Sequence, residues 1–215
     1  RGKNKMEQKT RNLIRTLVLA TPLVGCNATG GSINGGLEYL ASEAGTHRDI
    51  KLNYEVENGA GIFGRNIVTN PNGSDSKSLS LTNGYIPLTS GIDAVVSLKD
   101  IAGEETDIRY GVQCRLSGEN WKDYSLLTWS PENESVEFLN NFTYTSQVDL
   151  DGLLIGCLET LTNWGDNGDH KGSVIRPRVG IKKDNFTYGI GANMPLNSEG
   201  DIGDVYVGPF VRFGF

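Results

Sequence analysis

The chain has 215 residues, of which 28 are glycine and 37% are hydrophobic, with three cysteines and a formal net charge of −6. So much glycine argues against a helical protein, and after Gly25 no apolar run approaches the ~20 residues of a spanning helix. The acidic balance excludes a nucleic-acid-reading surface, which needs clustered basic residues. Three cysteines are too few for a disulfide framework.

In chain order, Lys3, Lys5, Lys9, Arg11 and Arg15 form a basic segment ahead of the short apolar stretch Leu17–Gly25. That pairing reads as an export signal over residues 1–25, with Met6 as its start. The stretch ends in Leu23-Val24-Gly25-Cys26, which resembles the lipobox of bacterial lipoproteins. The resemblance implies that the Cys26 thiol is lipidated and becomes the mature N-terminus, and Asn27 after it implies sorting to the outer membrane. Ordinary signal-peptidase cleavage after Ala28 is the alternative. Residues 26–32 are then a short tether and residues 33–215 one β domain.

From Ile33 onward the chain alternates apolar and polar residues, the period of a strand with one apolar face. Ile50, Leu52, Tyr54 and Val56 alternate with Lys51, Asn53, Glu55 and Glu57. Ile108, Tyr110, Val112, Cys114 and Leu116 alternate with Arg109, Gly111, Gln113 and Arg115, and Ile175, Pro177, Val179 and Ile181 oppose Arg176, Arg178 and Lys182. The spacing predicts twelve strands at about 33–42, 50–58, 61–69, 78–88, 91–101, 107–117, 122–130, 136–147, 153–163, 174–182, 185–195 and 205–215. Phase is lost where Leu126 and Leu127 stand side by side and again over 153–163, so ten strands is the competing count. Tight connections (58–60, 89–90, 117–120, 149–152, 183–184) alternate with longer, acidic ones (43–47, 70–77, 102–106, 131–135, 164–172, 196–203). A membrane barrel shows that alternation between its periplasmic and external rims.

The stretch Val205–Phe215 places Val207, Val211, Phe213 and Phe215 in one phase. It resembles the C-terminal strand of bacterial outer-membrane β-barrels, which their assembly machinery reads, and Phe213 and Phe215 would carry that signal. Pro209 departs from the pattern. Together these features resemble a porin-like outer-membrane barrel: all-β, closed, antiparallel, about twelve strands. A lipid-anchored soluble β-sandwich serving binding or adhesion is the alternative.

The barrel reading puts Lys51, Glu55, Glu57, Asp93, Lys99, Arg109, Arg115, Arg176, Arg178, Lys182 and Arg212 in the lumen, with Glu38 and Glu137. The expected role is a channel or structural barrel, with a basic excess that favours small anionic solutes. The charges pairing across a narrow interior and plugging it is the equal alternative. Expected partners are outer-membrane lipid, lipopolysaccharide and the assembly machinery, with no cofactor and no metal. His47 and His170 fall in the expected outer loops, and His170 lies near Asp166, Asp169 and Ser173 without a nucleophile motif, so no enzymatic activity is expected. Cys114 and Cys157 read as small hydrophobes.

Overall fold

The computed structural model describes residues 31–72, 75–148 and 152–215, so the expected signal segment and Cys26 lie outside the described residues. Twelve strands follow one another: β1 (Gly31–Ser42), β2 (Gly45–Val56), β3 (Gly61–Pro71), β4 (Lys77–Thr89), β5 (Ile92–Ile101), β6 (Asp107–Ser117), β7 (Trp121–Ser130), β8 (Ser135–Val148), β9 (Gly152–Trp164), β10 (His170–Lys183), β11 (Phe186–Leu196) and β12 (Tyr206–Gly214). Each pairs antiparallel with its sequence neighbour, and β1 pairs with β12 from Gly36↔Gly214 to Leu40↔Phe210. One sheet therefore closes on itself. It is a barrel rather than the two facing sheets of a sandwich, and closure leaves no edge strand.

The pleat sends alternate side chains outward and inward. Outward go Ile33, Leu37, Ile50, Ile86, Val96, Val112, Leu127, Leu158, Val179, Ile190, Val207 and Val211, all exposed. Rings gather at the two ends of this belt. Tyr39, Tyr110 and Trp129 lie toward one rim, and Trp121, Tyr144, Phe186, Tyr188 and Phe215 toward the other. Charged residues of the outward phase, among them Arg48, Asp100, Asp123 and Lys183, sit close to strand ends. Polar side chains on the outer face satisfy one another: Asn66 donates to Ser80 Oγ at 2.9 Å, and Asn140 donates to Asp123 at 2.8 Å and to Ser125 at 3.0 Å.

Closing twelve strands demands sharp coiling, and two glycines mark where it happens. A Cβ on Gly208 would fall 1.8 Å from the Ala41 carbonyl oxygen, and one on Gly111 would fall 1.9 Å from that of Leu127. Any side chain there would push the neighbouring strand away.

Most strand ends shift by a residue or more from the sequence reading: β10 opens at His170 rather than 174 and β2 ends at Val56 rather than 58, and two further shifts fall at the first hairpin. Gly31 and Ser32, expected in the tether, already belong to β1. The connection expected over 43–47 is a turn of Glu43 and Ala44 alone, and β2 starts at Gly45. The first turn of β2 is polar on both faces, with Thr46 and Arg48 outward and His47 and Asp49 inward, so alternation gives no signal there. The other connections on this rim (72–76, 102–106, 131–134, 165–169, 197–205) are longer than most of those on the opposite rim (57–60, 90–91, 118–120, 149–151, 184–185).

Candidate functional site

The lumen holds the candidate site. Near the long-loop rim it is filled. Leu40, Tyr206 and Phe210 form a buried apolar cluster, and His47 is buried with Nδ1 3.1 Å from Thr69 Oγ1. Arg109, only 1% exposed, is ringed by acceptors: Asp107 at 2.6 Å, Thr128 Oγ1 at 3.1 Å, Ser135 Oγ at 3.1 Å and the Ser135 carbonyl at 3.2 Å. Lys99 pairs with Glu137.

Halfway down, ion pairs cross the bore. Arg65 on β3 donates bidentately to Asp49 on β2 at 2.9 and 2.5 Å. Its Nη2 also reaches Glu159 on β9 at 2.7 Å. β3 and β9 stand six strands apart in a ring of twelve, so this contact joins opposite walls. Glu159 further accepts from Arg176 at 2.5 Å, Asn141 at 3.2 Å and Lys51 at 3.3 Å. Beside this crossbar Glu38 on β1 binds Arg178 on β10 at 2.9 Å and Arg212 on β12. Every buried charge here has an opposite partner, the condition under which ions tolerate a desolvated interior.

Toward the short-turn rim the lumen opens. The side chains of Lys51, Arg212 and Arg115 are 33%, 31% and 37% exposed, against 5% for Arg65. Two adjoining cavities of about 280 and 310 Å³ lie here and share Asn34, Lys51, Asn53, Phe63 and Asn141. Above the crossbar, beside Lys99, Glu137 and Arg176, a void measures about 20 Å³, room for about one water. The interior is thus a vestibule blind at the crossbar. An apolar patch of Tyr85, Val95, Leu126 and Leu139, flanked by Phe63, Tyr124 and Leu161, lines one wall.

No family model matches this chain and no curated protein matches it. Among solved structures it is similar to Pseudomonas aeruginosa OccK9 (OpdG), at 9% identity over 83% of this chain and 70% of that one, with a TM-score of 0.39. It is also similar to Pseudomonas aeruginosa OccK8 (OprE), at 8% identity over the same shares, with a TM-score of 0.38. At TM-scores below 0.5 neither likeness bears on what the lumen does, and the closed twelve-strand barrel rests on the strand pairing itself.

Of the residues expected inside, Lys51, Glu55, Asp93, Lys99, Arg109, Arg115, Arg176, Arg178 and Arg212 all occupy inward positions. Their partners, Glu38 and Glu137 among them, are inward too. Glu57 does not line the bore: it is exposed in the β2–β3 turn. Lys182 keeps the inward phase but lies exposed at the end of β10. The basic excess expected of the lumen shrinks, because Asp49, Asp107 and Glu159 enter it against one added cation, Arg65.

His47 is a lumen residue rather than a loop one. His170 opens β10, with Nε2 2.8 Å from Ser173 Oγ and Nδ1 3.4 Å from the Ser198 carbonyl. Neither Asp166 nor Asp169 reaches it. Cys114 takes the outward phase, and Cys157 is buried inward against Asn141.

Sequence reasoning missed Asp49, Arg65, Asn83 and Glu159. Arg65 stands between Phe63 and Ile67, both inward, on a strand whose outward Ile62 and Val68 are equally apolar. Its one signal is a cation in a strand with hydrophobics in both phases.

Proposed function

We propose that the chain is a transmembrane β-barrel of a bacterial outer membrane whose lumen is a gated vestibule, closed to free solute passage while the Arg65–Glu159 crossbar holds. The observation that carries this reading is the outward belt of exposed aliphatic side chains between two sets of rings. In water such a surface would aggregate, whereas lipid covers it and the rings suit the headgroup level. The expected partners follow: lipid and lipopolysaccharide around the belt, and the barrel-assembly machinery for insertion. Gly31 begins β1 at the short-turn rim, so a lipid on Cys26 would enter the leaflet on that side, taken as periplasmic.

With cations and carboxylates nearly matched, an opened lumen would pass small ions and polar solutes with at most a weak preference for anions. The test is refolding into phospholipid vesicles, followed by gel mobility with and without boiling and by planar-bilayer recording. A heat-dependent shift with little or no conductance in the wild type supports the reading. A protein that stays in water without detergent and binds no vesicle refutes it.

A further inference from the structure

The geometry points to a binding site for a neutral polyhydroxyl ligand of hexose size in the vestibule below the crossbar, anchored by Asn83 on β4. Asn83 is completely buried, and among the described residues neither its Nδ2 nor its Oδ1 has a hydrogen-bond partner. The Tyr124 hydroxyl beside it instead donates to Gln113 Oε1 at 3.1 Å. A buried amide with neither donor nor acceptor matched is costly and demands an explanation. It lines the 310 Å³ cavity, large enough for a small-molecule site.

The cavity wall selects the ligand's chemistry. Its charges are already committed: Arg65, Lys51 and Glu159 to one another, and Arg115 to Glu55 at 2.5 Å and Asp93 at 3.1 Å. An anionic ligand would have to break one of these pairs, and a wholly apolar one would leave Asn83 unmatched. Among the fully buried polar side chains of this wall, the Asn83 amide is the one left unmatched, offering two N–H donors and a carbonyl acceptor. A pair of neighbouring hydroxyls on one ring answers both. Phe63 and Leu126 supply an apolar surface for the C–H face of such a ring. The partly exposed Lys51 and Arg115 mark where water, and so the ligand, enters from the short-turn side.

The inference needs only a folded barrel, not a membrane. Protein folded in detergent micelles is titrated calorimetrically with glucose and, separately, with glucose 6-phosphate. Glucose is expected to bind saturably and the phosphate no more tightly. Asn83→Leu should weaken glucose binding about tenfold, the loss of one or two hydrogen bonds. Its thermal midpoint should stay level or rise, because an unmatched buried amide has been replaced by an apolar group. Should Asn83→Leu fail to fold, Phe63→Leu provides the second readout and should also weaken glucose. Absence of saturable glucose binding to folded wild type, tighter binding of the phosphate, or unchanged affinity in the folded variants would each overturn the inference.

Discussion

Glu159 is the hub of the crossbar, and Glu159→Gln is the change that tests it. The carboxylate is 4% exposed and accepts from Arg65, Arg176, Lys51 and Asn141. Gln is nearly isosteric, so packing is preserved and only the charge goes. Arg65 and Lys51 keep Asp49, at 2.5 and 3.5 Å. Arg176 does not fare so well: among the described residues Glu159 is its only salt-bridge partner and its Nε lacks an acceptor, and its side chain is 11% exposed. Stranding a buried cation costs about 3–5 kcal/mol, and that is the loss expected in urea unfolding of the vesicle-inserted barrel followed by tryptophan fluorescence.

The double variant Glu159→Gln, Arg176→Gln removes both members. It should recover about 2 kcal/mol or more relative to the sum of the single changes, since contacting residues are not additive. In planar bilayers Glu159→Gln should also show openings that the wild type lacks. A loss below about 1 kcal/mol, or strict additivity in the cycle, would refute the crossbar as a stabilising, bore-closing element.

Ile190, 67% exposed on the outer face, should tolerate Leu but lose about 2–4 kcal/mol as Arg when folded in lipid, measured by the same unfolding assay. The pair Arg176→Glu and Arg178→Glu sets each new carboxylate against Glu159 or Glu38, so the double variant should fail to refold, as gel mobility without boiling will show. Phe213→Ser removes the ring whose centroid lies 5.0 Å from Phe186 and 6.2 Å from Phe215. It should lower the yield of membrane-assembled protein while leaving the total exported amount unchanged.

The barrel was legible because its outward face is apolar almost without interruption, and a strand's period of two makes that visible wherever the inward face is polar. β6, β10 and β11 are such strands, and their residues fell where alternation put them. The reading blurred where the interior is itself apolar. Leu126 points in, toward Tyr85 and Leu139, while Leu127 points out. In β9, Ile155, Cys157 and Leu161 are inward while Leu154 and Leu158 are outward, which hid the phase of Glu159 among them. An interior that carries its own apolar patch makes a strand hydrophobic on both faces. The crossbar was invisible for a further reason: which charge meets which across the lumen depends on ring closure and stagger, and no local window records either.

Contact between the outer belt and lipid is tested most directly by cysteine labelling. Val112→Cys and Ile190→Cys, each in a background with Cys26, Cys114 and Cys157 replaced, can be labelled in vesicles with a lipid-soluble and a water-soluble maleimide. Asn34→Cys, in the vestibule wall, serves as the water-facing reference. The two belt positions should react with the lipid-soluble reagent alone and Asn34→Cys with the water-soluble one. Equal labelling of Val112→Cys and Ile190→Cys by the water-soluble reagent would contradict contact with lipid.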